Sequence, residues 1–297
     1  MEDNLKIFEE KKILGEGSIK LMNCMPHPAT LITPEQAIVD AARVSYSHGT
    51  VKKRTDNALI GYLMRHWHTS VFEQVELQFR VTAPMYVFRQ WHRHRTQSYN
   101  EISGRYSVIL DNFELPALER FRHQDSNNKQ SSSDSLIDEP ETARSLMEAS
   151  FNSSYVNYEK LIELGVSREV ARSVLPAATY TTCYAKGNLL NWFKFCLLRS
   201  DSHAQEEIRL YSCAIEDIIA EYAPVAYDAF VKYWKNSISY STEELRIISY
   251  LLNNSDLTNQ LLEANDSSDG FLGKLDLSMS AGEFKEFRNK ILETIQK

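Results

Sequence analysis

The chain has 297 residues, of which 43% are hydrophobic and 25% charged, and its formal net charge is −7. This composition is ordinary for a globular protein of one large or two small domains, and the acidic balance argues against a general nucleic-acid binder. Only 10 Gly and 8 Pro are present, so few turns are needed and long helices are favoured. The four cysteines form no CxxC pair, and no run reaches about 18 apolar residues, so we expect a cytoplasmic protein without a membrane span.

Two helices and one strand are predicted in the first third of the chain. Apolar residues recur at helical spacing over 34–46 and 55–68, and Thr33 is a suitable cap for the first of these helices. Apolar and polar residues then alternate over 75–82, which is typical of a strand with one buried face. Pro84 begins a further helix that ends at a basic cluster.

Residues 124–142 form a polar segment dominated by Ser, Asn and Asp. Such a composition buries too little apolar area to offset the entropy of ordering. We therefore expect a flexible surface insertion that catalysis does not need.

Helical patterns resume beyond this insertion. Helices are predicted over 146–164, 168–175 and 189–198, a β-rich stretch over 179–185, and a helix from about 204 in which Ser202 and Gln205 form a capping box. Beyond Lys235 the chain changes composition, and two or three modest helices are expected. The predicted fold is α+β, a mostly helical domain around a small antiparallel sheet, with a loop insertion and a helical C-terminal extension.

Residues 93–106 combine three arginines, one carboxylate and several hydroxyl and amide groups, and almost none of them could fill a core. The planar guanidinium suits phosphate and uracil-type carbonyls. Gly104 lets the backbone of 103–105 come close to a phosphate. The alternative is a solvated basic loop held by local ion pairs.

The pattern Arg-His-Arg-x-x-Ser-x-Asn-Glu-x-Ser-x-Arg, which begins at Arg93, resembles the signature of flavin-dependent thymidylate synthases. Further blocks at 41–45, 68–73, 168–176 and 198–205 resemble the same family in the same order. The resemblance covers about 21–234, which predicts an N-terminal segment over 1–20, a catalytic domain over 21–234 and an extension over 235–297.

This resemblance implies an activity. Family members make dTMP from dUMP with methylenetetrahydrofolate as carbon donor; reduced FAD supplies the hydride, and NADPH reduces the flavin again. It also implies a homotetramer whose active sites are shared between chains, with no nucleic-acid or membrane partner. No cysteine nucleophile is implied, and none of the four cysteines here lies in a Pro-Cys-His setting.

The resemblance also assigns residues. Arg199 should lie against the uracil ring as the catalytic cation, although an ordinary arginine at a helix end is the alternative. The dUMP site should contain Gln90, Arg93, Glu101, Ser103, Gly104, Arg105, Arg172 and Arg199. The FAD site should contain His68, Ser70, Arg93, His94, Arg95, Glu101, Asn188 and Lys194. His68 should line the opening for flavin and folate, or else be a satisfied histidine at a helix end.

Three positions depart from the family pattern. Leu190 stands where the family often has an arginine, Lys194 where it commonly has His or Asn, and Val71 where it has Pro. Leucine cannot make an arginine's contacts with the flavin nucleotide, whereas Lys194 offers a replacement charge.

Two other functions stay open from the residues alone. The pairs His66-x-His68 and His92-x-His94, with Glu73 nearby, suggest a metal-dependent enzyme, although residues two apart on a helix diverge. The mixture of basic and aromatic residues over 91–99 suggests a nucleic-acid-binding module, against which the acidic total counts.

Overall fold

The computed structural model describes residues 3–44, 55–126, 129, 132–240 and 282. The chain divides into two compact units, Met1–Asn236 and Ser237–Lys297. Nearly all of the second unit lies outside the described residues, and with it the helices expected beyond Lys235. The end of the first predicted helix, at residues 45 and 46, also lies outside them. The first unit is a mixed structure of helices and antiparallel sheet.

A five-stranded antiparallel sheet forms the framework, with the strand order β1-β2-β3-β7-β4. A separate two-stranded antiparallel sheet pairs β5 with β6. The strands are β1 Lys11–Lys12, β2 Ser18–Met25, β3 Glu76–Pro84, β4 Ser98–Glu101, β5 Arg122–Gln124, β6 Ser132–Leu136 and β7 Tyr180–Asn188.

Helices surround this sheet. They are α1 Pro34–Arg43, α2 Asp56–Arg65, α3 Met85–Trp91, α4 Pro140–Glu163, α5 Arg168–Ala171, α6 Leu189–Arg199, α7 Glu206–Tyr222 and α8 Pro224–Phe230. Short 3₁₀ helices cover Asp3–Phe8, Thr69–Gln74, Leu118–Arg120 and Arg172–Val174, and a π-helical turn covers Val231–Lys235. Thr33 caps α1 as predicted, because its side chain accepts a hydrogen bond from the backbone N–H of Gln36.

The central strand β3 has the alternation that the sequence predicts. Leu77, Phe79 and Val81 are fully buried, whereas the residues between them are half-buried. The Phe79 ring packs edge-on against Trp192 of α6, with ring centroids 4.8 Å apart. The indole N–H of Trp192 in turn donates to the backbone oxygen of Leu77 at 3.2 Å. This packing fixes α6, which is buried on most sides, against the sheet.

The long helix α4 ends at a glycine. Gly165 has a φ of +84° and follows the last helical residues, and its N–H donates to the backbone oxygen of Ile162 at 2.9 Å. This left-handed conformation costs glycine little, so the chain reverses here and enters α5.

The structure differs from the sequence prediction at several places, among them the strands β1 and β2, which were not predicted. Part of the expected insertion forms the β5–β6 hairpin, and α4 already begins at Pro140. The polar residues of β4 lie in the main sheet, although no strand was predicted there. The predicted capping box is wrong, because α7 begins at Glu206 after Gln205, and the Gln205 side chain does not cap it.

Candidate active site

The signature loop between α3 and β4 is held by buried side chains. The Trp91 indole N–H donates to Gln97 Oε1 at 3.1 Å, and both residues are buried. The Tyr99 hydroxyl donates to the backbone oxygen of His94 at 2.7 Å. The intervening Arg93 and Arg95 are exposed. The loop therefore presents two guanidinium groups on a backbone whose position is fixed by Trp91, Gln97 and Tyr99.

Arg199, at the end of α6, contacts this loop directly. Its Nε donates to His94 Nε2 at 3.0 Å, and its Nη2 donates to the backbone oxygen of Gln90 at 3.1 Å. The His94 ring also packs edge-on against Phe195, with centroids 4.7 Å apart. Three of the predicted site residues, Gln90, His94 and Arg199, thus form one hydrogen-bonded group.

Electrostatics in this group favour a neutral histidine. Burial, and secondarily the charge of Arg199, lower the pKa of His94 to about 4. Because arginine cannot accept a hydrogen bond, Nε2 of His94 must be unprotonated, and the ring proton lies on Nδ1. Burial lowers the pKa of Arg199 as well, but arginine stays charged at neutral pH. The group therefore carries a fixed positive charge on Arg199 alone.

A second group lies at the end of the signature loop, where 103–105 meets the segment after α5. A Cβ placed on Gly104 would lie 2.6 Å from Ile109 Cδ1 and 3.3 Å from Arg172 Cδ. A Cβ at this position would have to displace the end of the Ile109 side chain, so glycine lets the loop lie close to Ile109 and Arg172. Ser103 Oγ accepts from the Arg105 backbone N–H at 3.3 Å. The structure thus brings Ser103, Gly104, Arg105 and Arg172 together.

Arg105 also borders a shallow cleft of about 500 Å³. Its Nε lies 3.5 Å from Glu169 Oε2, and both side chains are more than half exposed, so solvent weakens the pair. Arg168 lines the same cleft, and its Nη1 donates to the Tyr106 backbone oxygen at 3.0 Å. An anionic group in the cleft would meet the cations Arg105 and Arg168 at its edge, next to the carboxylate of Glu169.

The remaining predicted residues lie on elements around α6. Asn188 caps this helix, because its Oδ1 accepts from the Asn191 N–H at 3.0 Å. Lys194 and Glu101 are exposed on α6 and β4. Ser70 is exposed on the 3₁₀ helix Thr69–Gln74, which packs against α6. Across the described ranges, no hydrogen bond, ion pair or ring contact joins Ser70 or Lys194 to the signature loop.

The environment of Leu190 shows why a leucine fits at this position, where the family often has an arginine. It is only 3% exposed and belongs to the core on α6, so its side chain fills space between elements. Leu190 therefore packs the helix that positions Lys194 and Arg199.

His68 follows a residue that sequence reasoning missed. Trp67 has a φ of +59°, which is unusual for a bulky side chain, and its ring stacks on Trp234 at 4.5 Å. A left-handed φ at a tryptophan has no signal in the sequence.

The two histidines on either side of Trp67 do not belong to a metal-binding cluster among the described residues. The rings of His66 and His68 lie 6.3 Å apart. Within residues 3–44, 55–126, 129, 132–240 and 282, no group of three or more His, Cys, Asp or Glu side chains is arranged to hold a metal ion.

Comparison with known proteins decides the family. A family model described as thymidylate synthase complementing protein matches residues 29–225. A flavin-dependent thymidylate synthase of Wolbachia pipientis is 42% identical over 257 residues, which cover 86% of this chain and 87% of the relative. The chain belongs to the flavin-dependent thymidylate synthase family. Membership confirms the resemblance predicted from the signature that begins at Arg93.

Other members of the flavin-dependent thymidylate synthase family are similarly close. A Thermus thermophilus enzyme is 46% identical over 81% of this chain and 85% of its own length, and the Dictyostelium discoideum enzyme is 42% identical over 80% and 79%. Among solved structures, the UMP/dUMP methylase PolB from Streptomyces cacaoi, bound with 5-Br dUMP, has a TM-score of 0.66 and 28% identity. That match covers 77% of this chain and 100% of PolB.

Among the described helices, none is both long and apolar enough to cross a membrane.

Proposed function

We propose that this protein synthesises dTMP from dUMP, with methylenetetrahydrofolate as carbon donor, FAD as hydride carrier and NADPH as the reductant of the flavin. Family membership supports the reaction class. The observation that carries the site assignment is the hydrogen-bonded group of Arg199, His94 and Gln90, which unites the end of α6 with the signature loop.

The donor set of the loop fits a flavin dinucleotide. Arg93 and Arg95 are exposed, and in the part of the chain that the structure describes neither makes an ion pair. Two free guanidinium groups on a fixed backbone suit a pyrophosphate. When bound, FAD supplies the hydride-transfer chemistry. Arg93, Arg95 and Lys194 would balance its negative charge, and Ser70, Glu101, Asn188 and His68 would hold its polar groups.

The side-chain amide of Asn188 keeps both of its N–H groups for this purpose. Its Oδ1 accepts one hydrogen bond in capping α6, so the N–H groups are the ones best placed to donate to a ligand. Lys194 lies six residues, somewhat less than two turns, further along the same helix and adds a cation at the position of the family's His or Asn.

Recognition of dUMP divides between two groups of side chains. Arg199 offers a fixed cation to the uracil carbonyls and favours the polarised pyrimidine over the neutral one. Neutral His94 accepts a hydrogen bond from Arg199 and so restrains the plane of its guanidinium. Ser103, Arg105 and Arg172, brought together at Gly104, would hold the phosphate with Gln90, Arg93 and Glu101 at its margin.

We propose an assembly and a domain organisation as well. Exposed apolar side chains, namely Ile102, Tyr106, Leu164 and Leu198, lie at or near the site, and they support burial against further copies in a homotetramer. We place the catalytic domain at 21–234, preceded by 1–20 and followed by a helical extension over 235–297, in a cytoplasmic protein.

The test is the reaction itself. The purified chain should show a flavin spectrum and convert dUMP to dTMP when methylenetetrahydrofolate and NADPH are both supplied. Omission of either compound should stop turnover, and chelators should not. A colourless protein that stays inactive with added FAD would contradict the proposal. Metal in stoichiometric amount would favour the metal-enzyme alternative, and tight binding of single-stranded DNA the nucleic-acid alternative.

A further inference from the structure

Arg120 connects the base of the β5–β6 hairpin to the start of α7. It ends the 3₁₀ helix Leu118–Arg120, its Nη1 donates to Glu206, and its Nη2 donates to Glu207 Oε1 at 3.1 Å. Glu206 and Glu207 are the first two residues of α7. One guanidinium fork thus holds both carboxylates of the first helical turn.

Glu207 needs this cation because its carboxylate is buried. The Glu207 side chain is 10% exposed, and within the described residues its Oε2 atom is buried without a hydrogen-bond partner. A buried carboxylate whose partner is removed is strongly unfavourable. The helix dipole contributes only modestly at this end. Without Arg120, the first turn of α7 should therefore move to bring Glu207 into water.

That first turn is joined to the proposed dUMP site. Gln205, which immediately precedes α7, accepts a hydrogen bond at Oε1 from the Gln90 side-chain amide. The backbone oxygen of Gln90 accepts from Arg199 Nη2 at 3.1 Å. Gln205 is exposed, and its backbone oxygen accepts from the Arg209 N–H of α7 at 3.1 Å, so its position follows the first turn of that helix. A continuous series of contacts leads from Arg120 through α7 and Gln205 to Gln90 and Arg199.

We propose that Arg120 is a positioning residue for the dUMP site, acting through Gln205 and Gln90 on the orientation of Arg199. The inference rests on the proposed function, since Arg199 is taken to act on dUMP. Arg120 itself touches neither Gln90 nor Arg199 and supplies no group to the reaction.

The test measures kcat and the KM for dUMP separately. Arg120→Ala should lower kcat by about tenfold, because small misplacements of catalytic groups cost large factors in rate. Flavin content should stay at the wild-type value. Arg120→Lys should recover part of the loss, since it keeps a charge for one carboxylate but not the fork. Arg122→Ala is the matched control: among the described residues its guanidinium donates only to the Glu119 backbone oxygen and lies 3.9 Å from Asp134 Oδ1, so kcat should not change.

A double-mutant cycle separates positioning from general destabilisation. If Arg120 acts through Gln205, the double variant Arg120→Ala with Gln205→Ala should be no slower than the slower single variant. The proposal would be overturned if the reductions in kcat of the two single variants multiplied in the double variant, or if kcat in Arg120→Ala were unchanged. Should Arg120→Ala not fold, Arg120→Lys replaces it in the cycle, and its smaller loss should likewise not multiply with that of Gln205→Ala. A wild-type chain that makes no dTMP would contradict the proposed function as well as this inference, whereas normal kcat in an Arg120 variant of an active enzyme overturns this inference alone.

Discussion

Arg199 donates a hydrogen bond from Nε to Nε2 of His94 at 3.0 Å, so the residue expected at the uracil and a residue expected at the flavin are direct neighbours. The resemblance placed them in two separate ligand sites. Their contact means that a change in the charge of either side chain acts on both sites. This coupling leads to the first two predictions.

The first prediction concerns pH. Burial and Arg199 lower the pKa of His94 from 6.5 to about 4, so the unfolded chain binds this proton more tightly than the folded protein does. The contribution of neutral His94 to stability is therefore complete above the unfolded pKa and is lost as pH falls from 6.5 towards 4. Thermal unfolding of wild type and His94→Gln should be compared over this range, and the wild type should lose more of its Tm on acidification.

An NMR titration of the His94 ring gives the matching direct measurement. In Arg199→Ala the pKa of His94 should rise but stay below 6.5, because burial is the larger cause and remains. A wild-type His94 that titrates near 6.5 would contradict the assigned burial and contact.

The second prediction is the loss of turnover in Arg199→Ala. A fixed cation contributes most when charge develops on the pyrimidine, so kcat should fall by about 10²–10³, by analogy with lost oxyanion donors. Some affinity for dUMP should be lost too, because the uracil carbonyls also contact the cation in the ground state. Arg199→Lys should restore little, since a point charge cannot bond His94 and Gln90 with one planar group.

The flavin spectrum of Arg199→Ala is the control. Retained flavin with near-normal turnover at saturating dUMP would refute the role. Loss of the flavin would place Arg199 in the FAD site instead.

The third prediction assigns Arg105 to the phosphate. Arg105→Ala should raise the KM for dUMP while leaving kcat at saturating dUMP much less affected, because the phosphate does not change in the reaction. The Glu169 partner should matter little, since the ion pair is exposed, and Glu169→Gln is the control. Equal losses of kcat and kcat/KM in Arg105→Ala would point to a role in the transition state.

The structural features that could be predicted from the sequence are those that depend on residues close together in the chain. The strand β3 was predicted because its alternation is local, and the cap of α1 because Thr33 bonds a residue three positions away. The proposed ligand residues were named through the resemblance to the family. The contacts that hold these residues in place were not predicted. For example, β4 forms because Glu101 and its neighbours pair with β7, which lies far along the chain.

Two further features had no local signal. Gln205 was predicted to cap its own helix, but its side chain bonds Gln90 from a distant helix instead. Tertiary contacts here override the local capping preference. The left-handed backbone at Trp67 ends α2, where the His68 N–H donates to the Leu63 backbone oxygen at 2.9 Å; no glycine marks this turn in the sequence, and the indole stacks on the distant Trp234.

The fourth prediction is that no cysteine is essential. Burial raises the pKa of Cys24 and of Cys183 to about 11, and that of Cys196 well above its usual value, so all three are neutral thiols near neutral pH. Cys213 is exposed. Replacement of each by Ala, and of Cys213 also by Ser, should leave kcat near the wild-type value. A single replacement that abolished turnover while flavin and dUMP still bind would require a thiol nucleophile.

The fifth prediction concerns the tip of the β5–β6 hairpin. The whole of 124–142 should not be removed, because α4 begins at Pro140 and is tied to the preceding loop by Arg144, whose Nε donates to the Pro116 backbone oxygen at 3.3 Å. Replacement of 125–131 by a short Gly-Ser turn keeps both strands and leaves Arg120 in place. Because this polar stretch adds little apolar burial, kcat and the KM for dUMP should stay within about twofold of wild type. A tenfold fall in kcat with flavin still bound would show that the tip contributes to the active site, and the same shortened chain carrying Arg120→Ala should lose activity as the full-length variant does.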